Sequence, residues 1–98
     1  MISKCAATIL AQLGGNRFLV MTGAKNISYD PTSLSMTLPR NAKGIRWVRV
    51  TLDENDTYSI DFVKMVRQLP QTATRVTGVY VEQLQDMFTL YTGLFTSL

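Results

Sequence analysis

The residues best suited to chemistry lie between positions 40 and 49, where Arg40, Lys43, Arg46 and Arg49 surround Trp47 with no acid among them. Guanidinium and ammonium groups meet phosphates or carboxylates, and an indole offers a stacking plane. These residue types at this density make a candidate binding segment for single-stranded DNA or RNA. On a strand, Trp47 and Arg49 share one face, while Arg46 falls on the other unless the strand begins after it. The competing structural reading places Trp47 beneath a helix with the arginines as a solvated rim. No RNP, KH or zinc-finger pattern accompanies the segment.

Most covalent chemistry lacks its residues. Histidine is absent and cysteine occurs once, so Cys/His zinc sites, disulfide frameworks, Ser-His-Asp triads and Cys-His dyads cannot be assembled. Cys5, among Ala6, Ala7 and Ile9, reads as a small packed hydrophobe and fits a reducing cytoplasm. Thr22-Gly23-Ala24-Lys25-Asn26 resembles half of a phosphate-binding loop but lacks the Walker spacing, so Gly23 reads as a turn and Lys25 as exposed. Asp53, Asn55 and Asp56 cluster oxygen ligands, yet an EF-hand would need glycine and glutamate where Tyr58 and Lys64 stand. That run reads as a polar turn, with an acidic knob for a partner's arginines as its functional alternative. A carboxylate pair would have to come from Asp61, Glu82 or Asp86, and their spacing brings no two of them to a cleft. The expectation is a binding protein, not an enzyme, with no cofactor and no metal.

Charge is unevenly distributed. Residues 1 to 52 hold seven cations against Asp30 alone, a net +6, and residues 53 to 98 hold three cations against six acids, a net −3. A chain so divided can present a basic and an acidic face, the first attracting nucleic acid or an acidic protein surface. In the alternative the two halves neutralise each other within the fold.

The elements that must position these groups follow from hydropathy patterning. Ninety-eight residues, 46% hydrophobic and 17% charged, suit one domain spanning 1–98 with a real but thin core. Ser3 can cap a helix from Lys4 to Leu13, with Ala6, Ile9, Leu10 and Leu13 on one side and Gly14-Gly15 as its stop. Arg17 to Thr22 reads as a buried strand ended by Gly23. Ser33 to Leu38 alternates apolar and hydroxyl residues, as a strand covered on one face does, after a turn at Asp30-Pro31. Arg46–Leu52 and Thr57–Val63 continue an antiparallel meander, Val48, Val50, Leu52, Tyr58, Ile60 and Phe62 facing inward. Leu69-Pro70-Gln71-Thr72 reads as a break, and Thr72 to Val79 as a further strand. Leu84, Met87, Phe88 and Tyr91 mark a second helix from Val81 to Thr92, closed by Gly93. The expected fold is α+β, an antiparallel meander sheet of three to five strands with an N-terminal and a C-terminal helix on one face. The surplus of Leu94, Phe95 and Leu98 suggests a homodimer. The apolar run before Gln12 is too short for a leader peptide, and no stretch reaches the ~18 apolar residues of a membrane span, so a soluble chain with no membrane contact is expected.

Several blocks carry a resemblance: Arg17-Phe18-Leu19-Val20-Met21-Thr22-Gly23-Ala24-Lys25-Asn26, Ser33 to Asn41, Val48 to Leu52, Asp56 to Phe62, Val79 to Phe88, and Thr92-Gly93-Leu94. Together they resemble small proteins encoded by bacteriophages, prophages and other mobile elements. The resemblance implies a setting, the bacterial host cytoplasm during infection or element transfer. There, such proteins bind nucleic acid or disable a host complex; it implies no catalytic residue. The leading expectation is an accessory protein that binds a host protein or nucleoprotein complex, such as a defence system. The alternative is a nucleic-acid-binding module using Arg40, Lys43, Arg46, Trp47 and Arg49.

Overall fold

A computed structural model describes residues 4–41 and 43–94. Helix α1 spans Lys4–Leu13, with Ala6, Ile9 and Leu13 buried as the 3.6-residue spacing requires. The proposed cap, Ser3, lies outside the described residues. Gly14 and Gly15 take φ of 129° and 60°, which side chains resist, and break the helix there.

The chain does not then enter a strand. Residues Gly15–Thr22 form a second helix, α2, which corrects the strand expected from Arg17 to Thr22. A strand burying Phe18 would bury Val20 on the same face, but Val20 is 79% exposed while Phe18 and Thr22, one helical turn apart, are buried. The Thr22 hydroxyl donates back to the Phe18 carbonyl at 2.7 Å, and Gly23, left-handed at φ 73°, closes the helix by donating its N–H to Leu19. The β-formers of this run are overruled by one anchor: Phe18 meets Phe88 edge to face at 5.0 Å.

Five strands follow as antiparallel neighbours in chain order: β1 Lys25–Asp30, β2 Ser33–Thr37, β3 Trp47–Leu52, β4 Tyr58–Val66 and β5 Leu69–Val79. β1 lies where the sequence signalled only turns, and β3 begins one residue later than expected. β4 and β5 are longer than expected, joined by the two-residue turn Arg67-Gln68, so the break expected at Leu69-Pro70 belongs to a strand. Pro70 is tolerated because β5 is an edge. A single 3₁₀ turn, Val81–Gln83, leads into α3, Leu84–Thr92, which Gly93 ends at φ 78°.

All helices lie on one face of the sheet, as the α+β reading required. Leu34, Met36, Val48, Val50, Ile60 and Phe62 pack there against Ile9, Leu13, Phe18, Leu84 and Phe88. Cys5 and Leu94 are half-buried against this core, whereas Phe95 and Leu98 lie outside the described residues. The opposite face bears Ser33, Ser35, Thr37, Trp47, Arg49, Thr51, Ser59, Asp61 and Val63; no described helix covers it, although Ser33, Ser35, Ser59 and Val63 are buried there. No helix is long and apolar enough to cross a membrane among the described residues.

Candidate functional site

A meander places alternate connections at alternate ends of the sheet. The β2–β3 loop and the β4–β5 turn therefore share one end, and the turns β1–β2 and β3–β4 share the other. This sorts the charges. The first end carries Arg40, Lys43 and Arg46 from the loop, Lys64 and Arg67 from the hairpin, and Lys25, which pairs with Thr37 beside Trp47. The second end carries Asp30, Asp53, Glu54 and Asp56, with Lys4 of α1 near Tyr29, Pro31 and Leu52. Cations and acids thus gather at opposite ends of the sheet, and each end draws on both halves of the chain.

At the basic end the loop is held from within. Asn41 donates its amide to the carbonyls of Pro39 and Ile45 at 2.9 and 2.6 Å and accepts the Ile45 N–H at 3.0 Å, while Ile45 is buried. Arg40, Lys43 and Arg46 flank this clasp and all are exposed. Arg46 donates its N–H to Val63 and accepts from Leu38, so it continues the ladder just before β3. On the uncovered face Arg46 and Trp47 line an open hollow of about 430 Å³ with Thr37, Val63, Met65 and Pro70. On the helical side Lys43 and Lys64 line another, about 480 Å³, with Leu90 and Tyr91. The five residues singled out from sequence are therefore divided: Arg46, Trp47 and Arg49 on the open side, Lys43 on the helical side, and Arg40 in the loop between. The reading of Trp47 beneath a helix is corrected, because Val48 and Val50 take the helical face and period two sends Trp47 to the other.

Arg49 is not a free cation. Its Nη2 lies 3.1 Å from the Asp30 carboxylate, its guanidinium sits 5.5 Å over the Trp47 ring, and its Nε is buried without a hydrogen-bond partner. Arg75 is held by Asp61 at 3.4 Å. Among the described residues no ion pair engages Lys25, Arg40, Lys43, Arg46, Lys64 or Arg67. Beside them Met65, Val66 and Leu69 stand exposed at the hairpin tip, Leu69 by 65%.

The acidic end is tied down. The Ser59 hydroxyl donates to Asp53 at 2.5 Å, the Thr57 hydroxyl to Asn55 at 2.7 Å, and the Ser33 hydroxyl to Asp30 at 3.1 Å. Asp53 to Asp56 is thus a structured polar turn. Among the described residues no three of His, Cys, Asp and Glu gather to hold a metal.

Gly23, in the segment likened to half a phosphate loop, is the helix cap of α2, and a strand follows it where a phosphate loop would have a helix. Sequence reasoning missed Lys25, Lys64 and Arg67 as members of the basic end. The signal available was topological, since a meander fixes which connections meet. Comparison with protein-family models, curated proteins and solved structures finds no match to this chain.

Proposed function

We propose that this is a non-enzymatic binding protein that docks an anionic macromolecular surface against the basic end of its sheet. Its partner is an acidic face of a host protein or nucleoprotein complex. One observation carries this reading: the meander gathers Arg40, Lys43, Arg46, Lys64 and Arg67 around two connections and, among the described residues, leaves them without an ion pair, beside exposed Met65, Val66 and Leu69. Cations steer encounter and fix orientation, while apolar side chains at the centre of a patch gain from losing water. The resemblance to small proteins of phages and mobile elements supports an accessory role in the bacterial cytoplasm, with a defence complex as a target of the right kind.

Nucleic-acid binding is the second reading, favoured by Trp47 and Arg46 bordering one hollow on the uncovered face. It is the weaker one. Arg49 already lies over the Trp47 ring, and no other aromatic of the five strands shares that face, since Tyr29 pairs with Leu34 and Tyr58 and Phe62 point to the core. A platform for successive bases needs more than one ring.

Capture from infected bacterial cells tests both. Wild-type chain should retain a partner that a variant carrying Lys43→Glu, Arg46→Glu and Lys64→Glu binds at least about tenfold more weakly, a difference of ~1.4 kcal/mol. Equal capture by the variant would defeat the basic-end reading. A labelled single-stranded oligonucleotide should show no shift at low salt; a steeply salt-dependent shift would promote the second reading over the first.

A further inference from the structure

The two edges of the sheet are unequally protected. β1 has only six residues, with charges at Lys25 and Asp30 that discourage pairing, while register irregularities occur at both edges, one between Lys25 and Ser28 and two along the β4–β5 pair. β5 has eleven residues with Arg75 as its single charge, already engaged by Asp61, and it is exposed from Leu69 to Gly78 except at Thr74 and Val76. No described strand pairs with its outer side. Thr72 pairs with Val63, whose carbonyl accepts from Arg46 on the β3 side, so that pair is not hydrogen-bonded and Thr72 turns its N–H off the edge. Pro70 lacks an outward N–H, but only near the hairpin tip.

We propose that a second copy of this chain pairs with β5, strand against strand and antiparallel, joining two five-stranded sheets across a two-fold axis. The occupant follows from the charge polarity of the sheet. Antiparallel pairing about a two-fold reverses one copy end for end and sets each Arg67 beside the other's Thr77-Gly78 end. That end borders an open hollow of about 600 Å³ lined by Asp53, Glu54, Thr77 and Gly78. Basic tip therefore meets acidic turn twice, and the isologous interface closes at two copies. A parallel arrangement would bring like charges together. The pairing shares Arg67 and Leu69 with the partner-docking surface, but its test reads self-association of the purified chain and so does not depend on that reading.

Sedimentation over a range of concentrations at low salt tests it. The mass should move from the 11.0 kDa of one chain to twice that value as concentration rises, and added salt should reverse the change. Thr72→Pro, which removes an outward donor, should return the protein to a single chain with unchanged circular dichroism. Arg67→Glu should weaken association at least tenfold, and combining it with Glu54→Lys should recover it whether or not the proline variant folds. A single-chain mass at every concentration, assembly beyond two copies, or association untouched by Arg67→Glu would each overturn the proposal.

Discussion

The acids at one end of the sheet and the cations at the other are used in opposite ways. Asp53 and Asp30 each accept a hydroxyl from the strand that follows them, Ser59 and Ser33, and Asn55 accepts that of Thr57 just before β4, so the acidic end spends these polar groups on its own turns. Asp30 also holds Arg49. At the basic end the loop is organised by an uncharged side chain, Asn41, and the hairpin by backbone pairing alone, so the charges contribute nothing to holding the connections. Surface charges without partners add little stability and repel one another. Their concentration beside Met65 and Leu69 therefore has its physical use in meeting another surface. Substituting the bonded acids Asp30 and Asp53 should cost stability at one end, and substituting the cations should cost association at the other.

The largest expected effect lies at the acidic end. Asp53→Ala removes the carboxylate that accepts from Ser59 and strands a hydroxyl that is buried at 4% exposure, at a cost of about 2 kcal/mol. Asp53→Asn keeps an acceptor and should recover about half of that loss. Urea denaturation measures both. The contrast between the ends breaks if Asp53→Ala is neutral, or if Lys43→Glu moves the midpoint by as much.

The same contrast explains what was legible in the sequence. Where apolar spacing dictates the pattern, sequence and structure agree: Leu34 and Met36 face the core, Val48 and Val50 share the inward face, and α1 has the bounds its apolar spacing gave, although Ser33 and Ser35 on the other side of β2 are buried as well. Where burial is one-sided or absent the pattern fades. β1 exposes nearly every residue, so Lys25 to Asp30 shows no alternation, and α2 carries strand-forming residues whose helical state depends on Phe18 reaching Phe88 from far along the chain. The hairpin turn was invisible because Arg67 and Gln68 are not turn residues. At the site, Arg40, Lys43 and Arg46 were visible as neighbours, while Lys64 and Arg67 join them only through the meander.

That turn supplies the next effect in size, with the opposite sign. Arg67 and Gln68 both take positive φ, 52° and 67°, the signature of a type I′ turn, which favours Asn-Gly. A side chain in the left-handed region costs about 1–2 kcal/mol, so Gln68→Gly should stabilise the protein by about 1 kcal/mol after the added freedom of the unfolded chain is subtracted. Thermal melting reads this as a raised midpoint. The acidic turn carries one such residue, Asp56 at φ 63°, against two adjacent ones at this tip, so the two ends differ in degree. A neutral or destabilising Gln68→Gly would show the tip to be relaxed and the contrast smaller than drawn.

The smallest effect separates the ends by pH. Tyr58 is buried near the acidic turn and donates its hydroxyl to Gln12 Oε1 at 2.7 Å. Burial pushes its phenol above the ordinary tyrosine value, Cys5 and Asp56 push the same way, and the Gln12 hydrogen bond opposes them. The unfolded chain therefore ionises first. The stability this group contributes is fully present below about pH 10 and is lost as pH rises through the higher folded value. Tyr58→Phe should cost under about 1 kcal/mol at neutral pH, from the lost hydrogen bond, and should flatten the alkaline decline. Urea midpoints of the two proteins that converge as pH is raised past 10 support the assignment, and a constant gap between them refutes it. Because Tyr58 lies at the acidic end, the substitution should leave partner capture at neutral pH unchanged. Loss of capture with the fold intact would show that the two ends are coupled through the sheet.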